Sequence, residues 1–308
     1  MKQHFYKTAF ALAVFSLITP ACAQESSSEP SRFSRFKQVL ETQRANKASV
    51  VSEESLGAFT KNMQTDQYKD RDMMIYVPST LPDPANRKML VVLHGGGGNA
   101  QFMVDHLKID GVAERNHFIV AYLNGSAAAT IGRKLKAWNA GKGCCGKPYT
   151  DKVDDIGYIT GAVNYLQQKY NVSTSNTFGA GHSNGAIMTQ TLMCIVGLYP
   201  KGATLAGTLM AEVNTCPAAT GRTIYNYHGE DDINLPIAGG FGTKGVTNID
   251  FTSQAYSKEM FEKSGGRYVL QIFDNTDHHM EHLSLASQKL NGMTIGERIA
   301  HDLGLLAR

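Results

Sequence analysis

What this 308-residue sequence lacks narrows its class first. It has no long run of one charge. Its 30 lysines and arginines are scattered among 27 aspartates and glutamates, giving a formal net charge of +3. That is not the basic footprint of a nucleic-acid binder. Among its five cysteines no C-x-x-C spacing occurs, which disfavours a structural zinc site. The glycine loop at residues 95–98 lacks both a following lysine and a G-x-G-x-x-G helix start, which disfavours a phosphate-binding turn. No internal repeat is visible, so the chain is not a solenoid. The apolar run at residues 9–18 is too short to span a bilayer.

That run has another use. Lys2 and Lys7 precede it, and the small-x-small pattern Ala21-Cys22-Ala23 follows it. Residues 1–23 therefore read as a signal peptide cleaved before Gln24. Cys22 raises lipid attachment as an alternative, but Thr19 and Pro20 stand where that signal wants a leucine and a small residue. The expected location is outside the cytoplasm, secreted or periplasmic. Cleavage leaves Cys144, Cys145, Cys194 and Cys216. An even number in an oxidising compartment predicts two disulfides. Adjacent cysteines rarely bond each other, so Cys144 and Cys145 are each expected to pair with one of Cys194 and Cys216.

Residues 24–58 are polar and read as a linker with a surface segment. From residue 59 to 308 strands and helices alternate. Strands are expected at 72–78, 88–93, 118–122, 176–181, 203–210, 223–227 and 267–273, and helices at 101–116, 155–166, 184–197, 251–264 and 294–304. That alternation predicts one α/β domain, a doubly wound and mostly parallel sheet with helices on both faces. A long loop, residues 123–152, holds the only tryptophan, Trp138, together with Tyr149; both are candidates for a substrate wall or for packing beneath it.

The chemistry gathers at strand ends. Gly181-His182-Ser183-Asn184-Gly185 alone is weak evidence in a chain with 30 glycines. Its context is stronger, because Ser183 lies where a strand ends and a helix begins, the setting of a nucleophile on a sharp turn. There the two glycines let strand and helix approach. A serine needs a base, and the base an orienting acid. An acidic loop (Glu230, Asp231, Asp232) follows one later strand, and His278 and His279 follow the last. Earlier, "LHGGGG" follows a strand, where backbone N–H groups of Gly96 and Asn184 are candidates to hold an oxyanion. Taken singly, each feature has a plainer reading: His94 as a loop brace, the acidic residues as a solvated turn, His278, His279, Glu281 and His282 as a metal cluster or a surface patch. Together, in this order and on one sheet edge, they favour a catalytic site.

At these residues the chain resembles the secreted polyhydroxybutyrate depolymerase and feruloyl esterase group of α/β hydrolases. The likeness runs from about residue 66 to 305 and includes "RDMMIYVP", "VVLHGGGGNA", "WNAGKGCCG", "VDDIGY", "GHSNGA" and "HGEDDINLPIAGG". It implies the α/β-hydrolase fold, Asp232 rather than Asp231 as acid, and His278 as base. The chain departs from the group at Gly185-Ala186 and in the loop at residues 275–280. His278 also comes five residues after Phe273, enough for the loop to turn back toward Ser183. The expected function is an exported serine ester hydrolase acting on hydroxycinnamoyl, aryl or short alkyl esters or soluble polyester oligomers, with no cofactor, no metal and no nucleic-acid or membrane-spanning partner. A serine peptidase and a non-catalytic binding protein are the alternatives.

Overall fold

The computed structural model describes residues 62–128, 135–212, 214–244 and 249–307. The expected signal peptide and polar segment lie outside the described residues. Among those described, no helix is long and apolar enough to cross a membrane.

The run "MLVVL" shows how the sheet is built. Met89, Val91 and Leu93 enter one apolar cluster while Leu90 and Val92 enter a second on the opposite face. A strand buried on both faces has no reason to alternate with polar residues, so it reads as a continuous apolar run. Eight strands form the sheet: β1 (Met63–Tyr68), β2 (Arg71–Tyr76), β3 (Met89–Leu93), β4 (Ile119–Leu123), β5 (Thr177–His182), β6 (Lys201–Leu205), β7 (Thr223–Gly229) and β8 (Arg267–Phe273). Their spatial order is β1-β2-β4-β3-β5-β6-β7-β8. Pairings β1–β2 and β2–β4 are antiparallel and all others parallel. The doubly wound, mostly parallel sheet read from the sequence is therefore present.

Helices cover both faces. On one lie α1 (Ala100–Leu107), α2 (Asp110–Asn116), α7 (Met280–Asn291) and α8 (Ile295–Leu303); on the other lie α4 (Asp155–Tyr170), α5 (Asn184–Ile195) and α6 (Gln254–Lys263). A short helix, α3 (Gly146–Thr150), sits in the long loop. The single helix expected at 101–116 is two, because Lys108 turns left-handed (φ 52°) and caps α1. That break drives Ile109 fully into the core.

The disulfide pairing corrects the sequence expectation. Two disulfides are present, but they join Cys144 to Cys145 and Cys194 to Cys216. Helix α5 explains why the expected cross-pairing fails. Cys144 Sγ accepts a hydrogen bond from Asn184 at the start of α5, whereas Cys194 lies at its far end. Ten residues of helix separate those points by about 15 Å, far beyond disulfide reach. Cys216 returns beside that far end, with Cα atoms 4.4 Å apart.

Candidate active site

Ser183 stands on the tight turn between β5 and α5. Its φ is 53° and ψ −121°, a left-handed conformation that costs a non-glycine residue about 1–3 kcal/mol and persists only when its surroundings enforce it. Here they do. The Ser183 N–H donates to the Leu205 carbonyl at 2.9 Å, and the Ile187 N–H donates to the Ser183 carbonyl at 3.0 Å. A Cβ on Gly181 would collide with the Gly185 carbonyl, and a Cβ on Gly185 with the carbonyls of Leu93 and His94. The two glycines thus let α5 press against both β5 and the end of β3. Ser183 remains partly exposed, and its hydroxyl has no hydrogen-bond partner among the described residues.

Neighbouring parallel strands β7 and β8 supply the next two groups. Their register puts Gly229 beside Phe273, and the loops beyond are laced together: Glu230 N–H donates to Phe273 O and Asp231 N–H to Thr276 O, both at 2.9 Å. Asp231 faces solvent, whereas Asp232 turns inward and is 3% exposed. Asp232 Oδ2 lies 2.7 Å from His278 Nδ1, and Oδ1 accepts the N–H groups of Asn234 and Leu235, each at 2.9 Å. Burial alone would raise the Asp232 carboxyl's pKa. Hydrogen bonds from His228 and His278 outweigh it and hold the group well below the usual carboxylate range. Asp232 is thus a buried anion facing an imidazole, the arrangement that fixes a histidine tautomer and stabilises an imidazolium.

Two further histidines hold this pair. His228 Nε2 meets the Leu235 carbonyl at 2.8 Å and lies 3.2 Å from Asp232 Oδ2, while its Nδ1 accepts from the Gln254 amide at 3.1 Å. His182, the residue before Ser183, donates from Nε2 to the His278 carbonyl at 3.0 Å. Its ring is buried, and burial depresses its pKa to about 3, so it is neutral near pH 7. The strand that carries Ser183 thereby also grips the backbone of His278. His279 points away, exposed and paired with Asp277.

The glycine loop closes the third side. His94 is a brace: its Nδ1 meets Gly95 O at 2.8 Å, its Nε2 accepts the Gly125 N–H at 3.0 Å, and burial lowers its pKa to about 4. Gly95 runs directly over the serine, and a Cβ there would lie 3.2 Å from Ser183 Cβ. Gly96 faces the first residue of α5, its ideal Cβ position 3.7 Å from Asn184 Cβ. The N–H groups of Gly96 and Asn184 have no hydrogen-bond partner among the described residues.

Trp138 and Tyr149 part company. Trp138 is fully buried beneath the loop. Its indole N–H donates to His94 O at 2.8 Å. The Asn184 side chain clamps its backbone at both ends, accepting from Trp138 N–H at 2.8 Å and donating to Trp138 O at 3.0 Å. Asp155 at the start of α4 accepts the Asn139 N–H at 2.6 Å and pairs with Arg71, so "VDDIGY" anchors the same loop. Tyr149 is half-buried on α3 and makes no hydrogen bond to Ser183, Asp232 or His278.

No family model and no curated protein sequence matches the chain. Solved structures do match it in shape. The apo form of Thermogutta terrifontis esterase 2 has a TM-score of 0.54 at 15% identity, covering 80% of this chain and 97% of that one. An acetyl xylan esterase from Aspergillus awamori has a TM-score of 0.54 at 12% identity, covering 79% and 99%. An S-formylglutathione hydrolase from Agrobacterium tumefaciens has a TM-score of 0.52 at 12% identity, covering 80% and 95%. The fold is the α/β-hydrolase fold. Ser183 stands on the strand-to-helix turn between β5 and α5 of that fold.

Proposed function

We propose that the chain is an exported serine ester hydrolase with Ser183, His278 and Asp232 as its triad. One observation carries this reading: a serine held in a strained strand-to-helix turn shares a sheet edge with a buried Asp232–His278 pair at 2.7 Å. In the first half-reaction Ser183 Oγ attacks the acyl carbon as His278 Nε2 takes its proton. Asp232 keeps the Nδ1 proton in place and offsets the imidazolium charge. The Gly96 and Asn184 N–H groups receive the oxyanion; one such donor stabilises a transition state by about 3–4 kcal/mol. The alcohol leaves with the proton from His278. Water, deprotonated by the same imidazole, then releases the acid and frees Ser183. The cycle uses side chains and backbone alone.

The substrate class follows from the resemblance to the polyhydroxybutyrate depolymerase and feruloyl esterase group: hydroxycinnamoyl or other aryl esters, or soluble polyester oligomers. Export follows from the leader-like residues 1–23 and fits the paired Cys194 and Cys216. A serine peptidase would use the same groups, so the test sets esters against matched amides. Purified protein should hydrolyse methyl ferulate, p-nitrophenyl butyrate or a hydroxybutyrate trimer at least about a hundredfold faster than the corresponding anilides. Preference for amides would move it to the peptidases, and inactivity on both would support a binding role.

A further inference from the structure

A cluster next to the base belongs to none of this chemistry. Asp277, His279 and His282 each offer one ligand atom, and the three atoms lie within 4.8 Å of one another. The two imidazoles converge on one carboxylate: His282 Nδ1 is 2.7 Å from Asp277 Oδ1, and His279 Nδ1 is 3.1 Å from Oδ2. His279 caps the start of α7 and His282 is its third residue, so helix geometry fixes their spacing. Asp277 is fixed from the other side. A Cβ on Gly229 would strike the Thr276 carbonyl and lie 2.6 Å from the Asp277 carbonyl, and the Asp277 carboxylate accepts the His279 N–H at 3.0 Å. The three side chains are 39 to 66% exposed, open to an ion from solution. Glu281 on the same turn is occupied elsewhere, 3.2 Å from His106.

We propose that Asp277, His279 and His282 form a binding site for a divalent cation of the zinc class. Two imidazole nitrogens and a carboxylate oxygen suit zinc, copper(II) or nickel(II), whereas magnesium and calcium take oxygen sets. Ligand atoms around a tetrahedral zinc, each about 2.0–2.1 Å from the metal, stand roughly 3.4 Å apart. The cluster needs only a small outward shift to admit the ion between its members. Each imidazole binds through Nδ1 with its one proton on Nε2, and water fills the fourth position. The bound ion would staple the loop after β8, which carries His278, to the first turn of α7. None of this rests on the hydrolase reading.

The test is calorimetric titration of chelator-treated protein with zinc chloride, with magnesium chloride as comparison, followed by thermal melts. Wild-type protein should bind one zinc per chain and melt higher with it, and magnesium should do neither. His279→Ala and His282→Ala should each weaken zinc binding by about tenfold or more and lose the rise in midpoint. His301→Ala, at an exposed position of α8, should keep both. Circular dichroism of the metal-free variants reports their fold independently. No zinc binding by the wild type would overturn the proposal, as would unchanged affinity in the His279 and His282 variants.

Discussion

His278 is held at two points by groups that do no chemistry themselves. Asp232 faces its Nδ1 at 2.7 Å, and His182 holds its carbonyl at 3.0 Å. Its neighbour His279 has neither partner; its ring is mostly exposed and turned to Asp277. A pair of variants assayed on one activated ester separates the two. His278→Ala should lower kcat by about three orders of magnitude or more, whereas His279→Ala should stay within a few-fold of wild type. Equal losses would mean that the loop folds otherwise. The choice of Asp232 over Asp231 came from the family resemblance, but the strand ends that carry Ser183, Asp232 and His278 were legible, because each follows an apolar strand on one sheet edge. His182 and His228 were not. Both sit inside strands buried on both faces, where a pattern of apolar residues conveys only burial. Nothing in the spacing says that a buried imidazole will turn one nitrogen toward a neighbouring loop. Trp138 shows the converse: a lone tryptophan in a glycine-rich loop reads equally well as wall or as packing, and its complete burial became visible only in the fold.

At the scale of elements, the site depends on how closely two loops meet. Gly229 ends β7, and the chain after β8 runs over it so tightly that the Thr276 and Asp277 carbonyls occupy the space of its Cβ. Gly229→Ala must push that loop, and His278 with it, away from Asp232. Misplacing a catalytic group by about 1 Å costs on the order of a hundredfold. The variant should therefore lose kcat by about that factor with KM little changed, and an unaltered kcat would show that the loop yields freely. The central strands and most helices could be read from apolar runs and periodicity. β1 and α7 could not. β1 is "MQTDQY", a polar edge strand with no buried residue. α7 buries only Met280, Leu283 and Ser287 while exposing Leu285 and Leu290, so its apolar residues mark no single face. Two disulfides were expected, and only their pairing was not legible, for a related reason: it depends on the length of α5, not on the spacing of cysteines along the chain.

Across the whole molecule, buried titratable groups set how it responds to acid. Burial lowers the pKa of His94 to about 4 and of His182 to about 3, against about 6.5 in the unfolded chain. Below that pH the unfolded state binds protons that the folded state refuses, so stability falls as pH falls. Between pH 6.5 and 5 each histidine withdraws about 2 kcal/mol. Asp155, which burial also raises, acts in the opposite sense, and so does Asp110. Burial raises it to about 6, so it releases its proton at higher pH in the folded state and adds back about 1 kcal/mol over the same interval. The histidines prevail. The thermal midpoint at pH 5 should lie roughly 5–10 °C below that at pH 7, and an equal or higher midpoint would contradict their burial as neutral groups. None of these directions was visible before the fold placed each group in the core.

Ser183 is proposed as the nucleophile. The most direct measurement is to react the protein with a p-nitrophenyl phosphonate ester, digest it and locate the adduct by mass spectrometry. One phosphonyl group should appear, on Ser183, and Ser183→Ala should fold normally, take up none and retain less than about a thousandth of the ester-cleaving activity. Labelling at another residue, or a Ser183→Ala protein that still reacts and still cleaves esters, would contradict the account.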